Sequence, residues 1–213
     1  KPVADYCIYL GDDVPNRIIS HRLPNLPKGS DFDAFTTDAL LTRMTCRNGR
    51  IELPDGINYR MMILPHSGQL TEAAKQKIAQ LRQEGACIYN PQTDPRTLSQ
   101  AISEAGIVAD VDAPKANGLY FAHRKTEHEH IYFLNNHSDE AVSERFVLNA
   151  QAAQAELWNP VTGEKYKLDA RKEQGRTAID LQMAPRESFF IVLSDRESRL
   201  PTYIPYRAPR KVQ

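Results

Sequence analysis

Cysteine is scarce. The three present, Cys7, Cys46 and Cys87, are odd in number and far apart, and no Cys-x-x-Cys spacing exists to hold zinc or run redox chemistry. They read as buried free thiols, since cysteine behaves as a small apolar residue in cores. Excess charge of either sign is missing too: Lys plus Arg and Asp plus Glu are 27 each. That balance gives no basic surface to displace counterions from nucleic acid and no patch for an anionic membrane. No apolar run approaches the roughly 18 residues of a spanning helix. Residues 1–10 turn polar too soon for a signal peptide and read as a strand entered almost at once, as in a piece of something longer. There is no Gly-x-Ser-x-Gly or Gly-x-Cys-x-Gly elbow to expose a nucleophile. The turn Gly11-Asp-Asp-Val-Pro-Asn-Arg17 has one glycine and two carboxylates, which would repel a pyrophosphate. No cofactor is implied, and no internal repeat or low-complexity tract is present.

What is there suits packed cores. Of 213 residues, 41% are apolar and 25% charged, enough for one large domain or two small ones. The first half reads as α/β. Alternation predicts a strand over 5–10, and Phe35, Leu40, Leu41 and Met44 form a helical stripe. Asn48-Gly49 and Pro54-Asp-Gly56 are turn signals around a short strand at 50–53. The near-continuous apolar run 59–64 predicts a strand buried on both faces. Leu70, Ala74, Ile78 and Leu81 then mark the clearest helix, with Thr71 as cap and Gly85 at its end. A strand at 86–89 and a helix over 97–106 follow. The second half is different: short strands are predicted at 119–122, 131–134, 146–148, 155–158, 165–168, 177–182 and 189–193, without helices between, which indicates an antiparallel sandwich. The expected organisation is 1–115, 116–195 and a solvated tail at 196–213.

Three groups could carry chemistry. Asp12 and Asp13 fall at the carboxyl end of the first strand, where open parallel sheets place ligands, and Asp31, Asp33 and Asp38 follow. Such carboxylates accept hydrogen bonds from sugar hydroxyls or act as acid and base in glycoside cleavage; they also cap helices and start turns. As a group, Asp12, Asp13, Asp31 and Asp33 are candidate substrate contacts. His123, His128, His130 and His137 cluster with Glu127 and Glu129, and two imidazoles with a carboxylate could bind zinc, but 124–129 also reads as a solvated hairpin tip, so no metal site is assigned. Trp158, the single tryptophan, with Tyr120, Tyr132 and Phe133, could stack on sugars, although aromatics at strand spacing are more often core.

A set of ordered blocks resembles α-L-rhamnosidases of glycoside hydrolase family 106. They are Gly11-Asp-Asp-Val-Pro15, Gly29-Ser-Asp-Phe-Asp33 with Asp38-Ala-Leu-Leu41, Asn48-Gly-Arg-Ile-Glu-Leu-Pro-Asp-Gly56 leading to Ile63-Leu-Pro65, and Glu84-Gly-Ala86. His123-Arg124 with Ile131-Tyr-Phe133, Glu156-Leu-Trp-Asn-Pro-Val-Thr-Gly163 and Pro185-Arg-Glu-Ser188 complete the set. The resemblance covers the chain to about Ser194. It implies an α/β flavodoxin-like (glutamine-amidotransferase-like) three-layer accessory domain followed by an antiparallel β-sandwich. It also implies a periplasmic or extracellular parent whose catalytic carboxylates lie in an upstream barrel of the same polypeptide. No position here matches those carboxylates, so the chain alone is expected to be inactive. The alternatives are a carbohydrate-binding module built on Trp158, or a self-association domain as in some β-galactosidases.

Overall fold

The computed structural model describes residues 1–12, 24–66, 68 and 70–204. Two compact units divide the chain, Lys1–Asp110 and Val111–Gln213.

The first unit begins with β1 (Tyr6–Tyr9), β2 (Phe32–Phe35), α1 (Thr37–Thr42), β3 (Thr45–Arg47), β4 (Arg50–Glu52), β5 (Asn58–Tyr59) and β6 (Met61–Ile63). It continues with α2 (Glu72–Gln83), β7 (Ile88–Tyr89) and α3 (Leu98–Glu104). A parallel sheet runs β2-β1-β6-β7, with Tyr6 opposite both Phe32 and Met61. All four residues of β1 are buried, and they alternate between two apolar clusters. Cys7 and Tyr9 join Leu40, Ile78 and Leu81, while Tyr6 and Ile8 join Ala101 and Ile102. This explains the unbroken apolar run of the strand: neither face meets water. α2 begins where Thr71 Oγ1 accepts the amide of Ala74 at 3.3 Å. It ends with Gly85 at φ +96, where the amides of Gly85 and Ala86 donate back to the carbonyls of Arg82 and Leu81. α3 starts in a capping box between Thr97 and Gln100.

The flavodoxin-like three-layer domain is overturned. Within residues 1–110 an antiparallel meander interrupts the α/β alternation, and over all described residues antiparallel pairings outnumber parallel ones, nine to three. The described helices are few, of six, twelve and seven residues. The physical reason lies in residues 45–59. Asn48 and Gly49 both take positive φ, 51° and 73°, the turn that matches the twist of a two-residue hairpin, so β3, β4 and β5 pair as an antiparallel meander. The helical stripe expected from Phe35 to Met44 is split as well: Phe35 ends β2, and only residues 37–42 coil.

The second unit holds β8 (Val111–Asp112), β9 (Leu119–Lys125), β10 (Glu129–Asn136), β11 (Val142–Leu148) and β12 (Gln154–Trp158). β13 (Lys165–Leu168), β14 (Ala170–Glu173), β15 (Arg176–Met183) and β16 (Ser188–Ser194) complete it. They form two antiparallel sheets, β13-β12-β16-β10-β9 and β14-β15-β11-β8. Tyr132, Leu134, Leu157, Phe189 and Ile191 of the first sheet share one core with Phe146, Leu148, Ile179 and Leu181 of the second, the packing of a sandwich. The segment after Asp195 is not simply a solvated linker. Lys167 donates to the Pro201 carbonyl and accepts from the Tyr203 amide, both at 2.8 Å, and the Tyr203 ring packs edge-on against Tyr166 and Phe189. Tail residues 205–213, with Tyr206, Arg207 and Arg210, lie outside the described residues.

Candidate functional site

The most organised polar group of the first unit is built on Asp12, just past the carboxyl end of β1. Its Oδ1 accepts from the Tyr9 hydroxyl at 2.6 Å and from the Thr37 hydroxyl, and its Oδ2 accepts from the Thr71 amide at 2.7 Å. Thr37 is the first residue of α1 and Thr71 caps α2. One carboxylate therefore ties a strand end to two helix starts, where helix dipoles favour negative charge. Burial pushes the Asp12 carboxyl up, but the hydrogen bonds from Thr37, Tyr9 and Thr71 outweigh it and hold the group below its usual value. Burial and the same carboxylate push the Tyr9 phenol up. A general acid at neutral pH needs the opposite shift.

The other predicted carboxylates are not brought to this point. Parallel pairing sets Tyr6 beside Phe32 and Tyr9 beside Phe35, so Asp31 lies at the amino edge of the sheet and Asp12 beyond its carboxyl edge. Asp31 Oδ1 accepts from the Phe32 amide at 2.9 Å. Asp33 sits within β2 and accepts from the Tyr59 hydroxyl at 2.9 Å; burial, then the charge of Asp33, push that phenol up. Asp13 lies outside the described residues. Asp38 is in the first turn of α1, its carbonyl taken by the Thr42 hydroxyl. Among the described residues, then, these carboxylates are spread over two edges and a strand rather than one constellation.

The histidines separate in the same way. His123 is buried, its Nε2 lies 2.9 Å from Nδ1 of His130, and its ring stacks on Tyr132 with centroids 3.9 Å apart. Those two nitrogens face each other instead of a shared ion. His128 is exposed and lies against Glu127. No group of three or more His, Cys, Asp or Glu that could hold a metal occurs among the described residues. All three thiols are pushed up, by burial first, which suppresses the reactive thiolate.

Trp158 is partly buried on the face of the five-stranded sheet that looks away from the core, beside Phe190, itself 5.1 Å from Phe133. Glu156 accepts from its indole N–H at 2.8 Å, and the Lys165 ammonium sits 3.6 Å from its ring centroid. A sugar cannot stack on that ring face while the ammonium occupies it. Sequence reasoning missed one feature altogether: a cavity of about 520 Å³ between α2 and the chain leaving β6 and β7. Its polar residues come from α2 and the loop after β7, and no motif in the sequence marks the two as one site.

A family model described as alpha-L-rhamnosidase, glycoside hydrolase family 106, matches residues 1–97 and 92–172. The chain belongs to this family. A Formosa agariphila protein carrying the name "Putative beta-glucuronidase" is 26% identical to the family member described here over 229 residues, covering 92% of this chain and 19% of its own length. The solved rhamnosidase of Novosphingobium sp. PP1Y superposes on the whole chain with a TM-score of 0.81 at 21% identity, which establishes a shared fold, and only 24% of that enzyme is covered. The chain thus spans about a fifth to a quarter of the relatives it matches, 19% and 24%. No helix among the described residues is long and apolar enough to cross a membrane.

Proposed function

We propose that this chain is a non-catalytic accessory region of a bacterial glycoside hydrolase related to α-L-rhamnosidases. The observation that carries the reading is the Asp12 tie. The best-placed carboxylate spends both oxygens on a strand and two helices, and its pKa is moved away from acid catalysis. Cleavage then belongs to a carboxylate pair outside these residues, in a catalytic barrel of the same polypeptide, and the two units brace or border that barrel. The parent works on glycans in the periplasm or outside the cell. The names of the relatives set the candidate glycosides: a rhamnoside, or a β-glucuronide.

The test is direct. Chromogenic α-L-rhamnoside and β-D-glucuronide are offered to the 213-residue chain and to the whole parent protein. Turnover is expected from the parent alone. Hydrolysis by the chain at a rate near the parent's would end the accessory reading.

A further inference from the structure

The cavity beside α2 is built like a ligand site. Its volume, about 520 Å³, lies in the usual range for small-molecule pockets, roughly 300–1,000 Å³. It opens where β6 and β7 end, the edge at which parallel sheets leave room for ligands. Leu64 and Ile78 give it an apolar floor. Lys75 and Arg82, seven residues apart on α2 and so on one face, supply two cations. Asn90 and Gln92 supply amides.

Part of this polar capacity is unspent. Arg82 makes no side-chain hydrogen bond or ion pair among the described residues, although its charge reaches Asp94. Asp94 is itself gripped by Arg96 through both carboxylate oxygens and held down to about 2 by it. Lys75 pairs with Glu72 at 2.7 Å, an exposed contact that an incoming anion can displace at little cost. Asn90 Oδ1 accepts the Gln92 amide, which leaves its Nδ2 to donate elsewhere, and Gln92 Nε2 donates to the Pro65 carbonyl, which leaves its Oε1 to accept. The arrangement offers a planar guanidinium fork for an oxyanion, a second cation, a neutral donor, a neutral acceptor and an apolar wall for a ring.

We propose that this cavity binds an anionic saccharide unit, with its carboxylate or sulfate held by Arg82 and Lys75, its hydroxyls by Asn90 and Gln92, and its ring against Ile78 and Leu64. The saccharide class rests on the glycan-handling reading above; the requirement for negative charge rests on the cavity alone. Arg82 is the main anchor, because guanidinium and carboxylate or sulfate can pair through two parallel hydrogen bonds.

The experiment is heteronuclear NMR titration of the full chain with three disaccharides of matched size: one bearing glucuronic acid, one sulfated, and one neutral. The anionic sugars are expected to shift the amide signals of Lys75, Ile78, Arg82 and Asn90, and the stronger of the two identifies the anion. Arg82→Ala is expected to weaken that binding by about tenfold or more, as loss of a charge-assisted pair does. Ala79→Trp, at an exposed helix position lining the cavity, is expected to block it while α2 stays folded. No shift with any sugar, equal binding of the neutral one, or unchanged binding by Arg82→Ala overturns the assignment. Those failures leave the accessory reading standing, since that reading falls only if the chain itself cleaves a glycoside.

Discussion

The two units hold together by different means. In the second, one apolar core is fed from two sheets, and the longer strands place alternate residues in it. In the first, apolar residues split into two smaller clusters around a four-stranded sheet, and one carboxylate joins elements up to 59 residues apart. The sandwich depends on area, the first unit more on a few polar ties. Both described spectroscopic handles fall neatly across this divide: the single tryptophan is in the second unit, and all described helices are in the first. Tryptophan fluorescence therefore follows one unit and the far-ultraviolet helical signal the other.

The largest expected effect is on the sandwich. Phe146 is fully buried where the two sheets meet, so Phe146→Ala should cost about 3–5 kcal/mol. In urea unfolding the fluorescence midpoint should fall well before the helical one moves. Coincident shifts in both would erase the distinction between the units.

A smaller effect is expected in the first unit. Asp12→Ala leaves Thr71 N–H and two hydroxyls without their acceptor and should cost about 1–2 kcal/mol, toward the low end because water reaches the site. The sign of its pH dependence follows from the lowered pKa. The folded carboxyl ionises below its unfolded value, so its stabilisation is full above about pH 4 and is lost as pH falls through the folded pKa. The gap between parent and variant, read by the helical signal, should therefore shrink below about pH 4. A gap that widens on acidification would contradict the tie.

The smallest effect concerns Trp158. Lys165→Ala removes the ammonium from the indole face and should cost about 0.5–1 kcal/mol, while access of the neutral quencher acrylamide or a soluble sugar to the ring increases. If quenching is unchanged, Lys165 does not shield that face in solution.

The same contrast explains what could be read from the chain beforehand. Alternation is a local property, so strands such as 131–134, 155–158 and 189–193 could be located one by one from their neighbours. The cap at Thr71 and the left-handed Gly85 are also local and were legible. The order of the first unit was not. Asn48-Gly49 is visible as a turn, but that it diverts 45–59 into a meander depends on pairing between strands. Asp12, Asp31 and Asp33 look like one acidic group in the sequence, and strand direction sends them to different places. The partners Tyr9, Thr37 and Thr71 are distant from one another along the chain, which leaves no periodic trace, and nothing in the spacing of Arg82 and Asn90 shows that the helix and the loop after β7 open onto one cavity.

The pairing of Pro201 and Tyr203 with Lys167 has a further meaning for handling this protein. β13 is an outer strand of its sheet, and an outer strand with open amides and carbonyls invites a second chain to add on. Residues 201–203 occupy the amide and carbonyl of Lys167 at the middle of that strand and act as a guard rail there. Removing everything after Asp195 should therefore leave the core intact at first and yet yield a protein that clumps at its flank.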